Sequence, residues 1–163
     1  MHFDTQFQDV MQMVQSQSTN RETWKAASSL LEEIEASGQD QDEHMVCMLA
    51  TWAIQASGYD EDYHVTKRVH QKYDPRLRAF FYNGIDPVEF HRFTKNHPAE
   101  AAEFPEATIQ NIDGYRNVAF PAMKAYFYYD QIEDAIEAGA WHLFTLAVLP
   151  RRGHPANPSY ALN

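Results

Sequence analysis

The chain has one cysteine, Cys47, among its 163 residues, only six glycines, and no apolar stretch that could cross a bilayer. A single thiol permits no intramolecular disulfide and no cysteine-rich zinc centre, which fits a reducing compartment. The glycines fall mostly at expected helix ends. They leave no glycine-rich loop to cradle a phosphate, and no Gly-x-Ser-x-Gly elbow occurs. The longest uncharged apolar-rich run, Met45 to Ala56, falls short of the ~20 residues a membrane helix needs. Met1-His2-Phe3-Asp4 carries neither the basic segment nor the apolar core of a secretory signal. The expectation is a soluble, cytoplasmic protein with no cofactor.

Basic residues are also scarce, and unevenly so. Between Lys25 and Lys67 there is no Lys or Arg, while Glu32, Glu33, Glu35, Asp40, Asp42, Glu43, Asp60, Glu61 and Asp62 give residues 26–66 a charge of −9 within a total of −10. Such a field repels phosphate backbones and anionic membranes and favours a basic protein partner. A solvated face that partly pairs with the following basic block, Lys67 to Lys95, is the competing explanation. That block interleaves Lys67, Arg68, Lys72, Arg76, Arg78, Arg92 and Lys95 with aromatic residues. The mixture could serve single-stranded nucleic acid, but the helical spacing of the rings is explained more simply by a core, so nucleic acid is not an expected partner.

What is present reads as helix. With 44% hydrophobic and 22% charged residues, a chain of this length supports one domain, since cores of that size bury roughly 70% of the unfolded surface. Phe3, Phe7, Val10, Met11 and Val14 form one stripe over residues 3–16. Thr19 with Glu22 is a capping box opening a helix over 20–37 that Gly38 stops. Asp40 with Glu43 repeats the signal for a helix over 41–57, apolar nearly all round, which Gly58 ends. Asp60 is expected to cap a fourth helix through Tyr73, Pro75 to start a fifth closed by Gly84, and Asp86-Pro87 with Glu89 to start a sixth over 87–96. Residues 98–118 read as helical turns and loop. Pro121 starts another helix, Asp130 with Glu133 one more that ends near Gly139, and Trp141 to Leu149 is assigned to helix because no other segment could pair with it as a strand. The expected fold is all-α: a compact single-domain bundle of about seven to nine short helices over 1–150, with antiparallel hairpins in its N-terminal half and an extended or mobile tail over 151–163. Trp24, Leu31, Met48, Leu49, Trp52 and Phe81 are the expected core.

Signals for chemistry are few. Paired Glu-x-x-His motifs build bundle di-iron sites, yet only Glu61 and His64 show that spacing, and no His-Glu-x-x-His or Cys-x-x-Cys occurs, so no metal site is expected. Cys47 lies within the central helix, where a thiol behaves as a small hydrophobe. No catalytic residue can be named. One polar but uncharged stripe, His44, Cys47, Thr51 and Gln55, suits a pocket wall, with His64 nearby. Two functions follow as expectations. The first is an acidic interaction module, an inhibitor or immunity-type neutraliser, binding a basic partner through Glu32, Glu33, Glu35, Asp40, Asp42 and Glu43. The alternative is a small enzyme or ligand-binding domain with a pocket beside the third and fourth helices at His44, Cys47, Thr51, Gln55 and His64.

Overall fold

The computed structural model describes residues 3–83, 86–101, 103 and 111–151. Among these residues the chain forms eight helices and no strand: α1 (Asp4–Gln15), α2 (Asn20–Ser37), α3 (Glu43–Tyr59), α4 (Tyr63–Tyr82), α5 (Pro87–Asn96), α6 (Pro98–Ala101), α7 (Arg116–Tyr128) and α8 (Ile132–Arg151). The all-α bundle expected from periodicity is therefore what the chain builds. Residues 111–114 add one helical turn before α7.

The apolar α3 is the axis. It packs against α2, α4 and α7, and Leu49, Ala50, Ala53 and Ile54 are fully buried. Polar bonds at the C-terminal end of α3 tie it to the first turns of both α2 and α4, as antiparallel hairpins require. Trp24 Nε1 near the start of α2 donates to Asp60 Oδ2 just past α3 at 3.1 Å. Ser57 and Thr66 hydroxyls meet at 2.7 Å where α3 gives way to α4. Of the expected core, Leu31, Leu49 and Phe81 are buried, and Trp24, Met48 and Trp52 pack against it partly buried.

Several boundaries differ from the sequence reading, each for a physical reason. Thr19 and Asp86 cap as expected, accepting from Glu22 N and from Val88 N and Glu89 N. Gly38 takes the left-handed φ of 66°. Asp40 does not cap α3. Asp42 does, accepting from His44 N at 2.9 Å, because Glu43 is drawn instead to Arg76. Asp60 ends α3 rather than starting α4, its carboxylate held by Trp24.

Gly58 lies inside α3, and its role is close approach: a Cβ there would sit 2.6 Å from Pro121 Cβ. The two helices expected around Pro75 are one. Proline removes a donor, but Tyr73, Leu77 and Phe81, buried on either side of it, hold α4 continuous. Pro121 is likewise interior to α7, Gly139 interior to α8 against Met123. Residues 132–151 thus form one helix, with 141–149 helical as assigned. Asp130 closes α7 at φ 57° instead of capping α8, whose first turn is bonded from Ala135 N to Gln131 O. The expected stop at Gly84 and the tail from 152 onward lie outside the described residues.

Candidate functional site

The acidic edge of α2 and α3 meets a basic stripe on α4. Arg68, Lys72 and Arg76, at i, i+4 and i+8, lie on one face. Arg68 Nη2 is 3.9 Å from Glu32 Oε1, and Lys72 Nζ is 2.5 Å from Glu35 Oε2. Arg76 grips Glu43 with two bonds of 3.0 and 3.1 Å, and its guanidinium holds the Glu43 carboxyl below the usual range. Glu33 accepts from Gln6 Nε2 at 3.2 Å, Asp42 is the α3 cap, and Asp40 is exposed. Three of the six acidic residues named from sequence thus hold cations of the same chain.

The uncharged stripe on α3 divides. Cys47 and Thr51 are buried, and the Thr51 hydroxyl donates to the Cys47 carbonyl at 2.7 Å. Burial, reinforced by the Glu43 carboxylate, pushes the Cys47 thiol up to about 12, so it stays a thiol at neutral pH. His44 and His64 are exposed at opposite ends of the α3–α4 hairpin. His44 is flanked by the rings of Phe7 and Phe80, and His64 Nδ1 lies 2.5 Å from Asp62 Oδ1. Gln55 turns instead toward α1 and α2, where it lines a cleft.

The largest exposed apolar side chains cluster elsewhere. Phe127, Tyr128 and Tyr129 at the end of α7, with Ile132, Ile136 and Leu143 along α8, are between 41% and 68% exposed. Positions 132, 136 and 143 share one helical stripe, flanked by the buried Ala135 and Leu146, with the buried Ala138 farther round the helix. From 125 to 150 the sequence holds Asp130, Glu133, Asp134 and Glu137 and no Lys or Arg. The face is apolar and carries Asp130 and Glu133, while Lys67 Nζ lies 4.6 Å from the Tyr129 ring centroid and Glu137 faces Arg78.

A buried polar network sets α8 against α4. Asp74 on α4 accepts from the Tyr115 hydroxyl, from Arg78 Nε at 3.1 Å, and from His70 Nε2 at 3.3 Å. Burial alone would raise the Asp74 pKa, but the bonds from His70 and Tyr115 and the Arg78 charge outweigh it, so the group lies below its ordinary value. Ionised Asp74 can only accept, which assigns a proton to His70 Nε2. In the neutral ring Nδ1 then accepts from the Tyr126 hydroxyl of α7, 2.7 Å away. Arg78 also stacks over Trp141 of α8, 5.2 Å from the ring centroid, with Nη1 3.9 Å from Glu137. Burial, then neighbouring carboxylates, raises both tyrosines, so they remain proton donors. These groups wall a cavity of about 200 Å³.

Sequence reasoning missed both features. The network's signal is His70, Asp74 and Arg78 at successive intervals of four. The surface's signal is an apolar stripe on each side of α8, together with the missing cations over 125–150. Among the described residues no helix is long and apolar enough to cross a membrane, and no group of three or more His, Cys, Asp or Glu could hold a metal ion. No family model, curated protein or solved structure matches the chain.

Proposed function

We propose that the chain is a protein–protein interaction module that docks a basic, amphipathic partner segment on the α7–α8 face. The observation that supports this reading is the coincidence of exposed Phe127, Tyr128, Ile132, Ile136 and Leu143 with Asp130 and Glu133, which pair with no cation among the described residues. Exposed apolar clusters of this kind mark interaction sites, with aromatic anchors supplying affinity and charge supplying steering. The acidic edge on α2 and α3 named from sequence is the weaker candidate, because Glu32, Glu35 and Glu43 already face Arg68, Lys72 and Arg76. A basic partner, as an inhibitor or immunity-type neutraliser would have, remains the partner class. Its place moves to the other end of the chain.

The test uses a helical Leu/Lys amphipathic peptide and a scrambled peptide of equal charge, titrated against the protein by fluorescence anisotropy. The amphipathic peptide is expected to bind saturably and the scrambled one at least tenfold more weakly. Ile136→Ser combined with Leu143→Ser is expected to erase that difference. Equal binding of both peptides to the unaltered protein would overturn the reading.

A further inference from the structure

A second site lies away from the docking face, where the turn between α1 and α2 leans over the second half of α3. It is a cleft of about 270 Å³ whose lining includes Met13, Gln17, Asn20, Trp52, Gln55 and Tyr59. No lining residue carries a formal charge, in a chain of net charge −10. The turn is built to present polar groups there: Gln17 adopts a positive φ of 57°, and its amide N–H reaches back to Val14 O. Among the described residues the side-chain amides of Gln17 and Asn20, both exposed at the rim, and of the partly buried Gln55 bond to no protein group, whereas neighbouring Ser18 and Thr23 are engaged locally. Trp52 stacks on Phe7 at 5.6 Å and 21°, which fixes its indole in the cleft wall. Tyr59, 53% exposed, stands at the mouth with Lys124 over its ring.

These features define the ligand by elimination. An amide offers two donors and one acceptor, so three free amides suit a ligand edge on which donor and acceptor stand side by side. An indole wall suits a flat ring. A charged group entering this lining would lose hydration with no counter-charge inside the cleft, and a phosphate would also meet the negative field of the whole chain. At about 270 Å³ the cleft lies just below the roughly 300–1,000 Å³ of ordinary ligand pockets, which suits a small ring system.

We propose that the cleft binds a small, uncharged, planar heterocycle with an amide-like or amidine-like edge, the class to which free nucleobases and aromatic carboxamides belong. This site is independent of the peptide-docking face, and either can exist without the other.

The probes are adenine, nicotinamide and adenosine monophosphate, titrated by calorimetry and by ligand-detected saturation-transfer NMR against the full chain. One-to-one saturable binding of adenine or nicotinamide is expected, with the monophosphate at least tenfold weaker than adenine. Gln55→Leu is expected to weaken binding at least tenfold while leaving the melting temperature unchanged. Because a change at Trp52 could disturb packing, Tyr59→Ser at the exposed mouth is the second variant, with a smaller loss expected. Absence of saturable binding by both neutral probes would overturn the proposal. So would equal affinity for the monophosphate and adenine, or affinity indifferent to both variants.

Discussion

Gly58 of α3 and Pro121 of α7 stand so close that a Cβ on Gly58 would fall 2.6 Å from the Pro121 Cβ. The glycine permits the contact, and the proline ring, rigid and held in the core, has no flexible end that could yield. Pro121 thus acts at a helix crossing, not at a helix start.

Gly58→Ala is therefore expected to destabilise the fold by about 1–3 kcal/mol, the usual cost of overpacking, although alanine is the better helix former by up to ~1 kcal/mol. Urea denaturation monitored by helical circular dichroism would measure it. A stabilised variant would mean that α7 can slide away from α3 at no cost.

Leu49, with no exposed surface on the central helix, supplies the simplest core test. Leu49→Ala should cost about 2–5 kcal/mol. A change within ~0.5 kcal/mol, the range of substitutions at neutral surface positions, would place the centre of the core elsewhere.

Asp74 links burial to pH. Its folded pKa lies below that of an unfolded aspartate, ~3.9, so the unfolded chain binds the proton first on acidification. Stability from this group is present above about pH 4 and is lost as pH falls from there through the lower folded value. Asp74→Ala should cost about 1–3 kcal/mol at pH 7, since it leaves the buried His70 and Tyr115 without an acceptor and Arg78 with only the more distant Glu137. The difference from the unaltered protein should narrow toward pH 2. A difference that stays constant from pH 7 to pH 2 would show that the carboxylate is not selectively ionised in the folded state.

The helical class was legible because α1, α2 and the start of α5 carry periodicity and caps that local chemistry decides: Thr19, Gly38 and Asp86 act through neighbours within three residues. The boundaries that shifted were decided by distant groups. Glu43 is claimed by Arg76, 33 residues away, so the cap passes to Asp42. Trp24 claims Asp60 across 36 residues. Pro75 and Pro121 look like helix starts in isolation, and only the packing of residues on both sides keeps their helices unbroken. The acidic block was visible, but its partners were not, because pairing Glu32 and Glu35 with Arg68 and Lys72 requires the α2–α3–α4 arrangement. The α8 surface escaped notice because the sequence does not show which of the apolar residues around α8, the buried Ala135 or the exposed Ile136, is covered.

The same arrangement yields the last prediction, which concerns kinetics. If a basic segment approaches the α7–α8 face, Asp130 and Glu133, which pair with no cation among the described residues, should steer it, whereas Glu32 and Glu35 on α2 and Glu137 on α8 should not, being offset by cations within 4 Å. Asp130→Asn with Glu133→Gln should slow association of the Leu/Lys peptide, and the slowing should fade with salt as the screening length falls from ~10 Å at 0.1 M to ~3 Å at 1 M. Glu32→Gln with Glu35→Gln removes equal negative charge from the chain but exposes Arg68 and Lys72, and should slow association less. Stopped-flow fluorescence at two ionic strengths separates the two pairs of variants. If the α2 pair slows association as much as the Asp130 and Glu133 pair, the effect is one of net charge alone, and the acidic run beside Ile136 has no steering role.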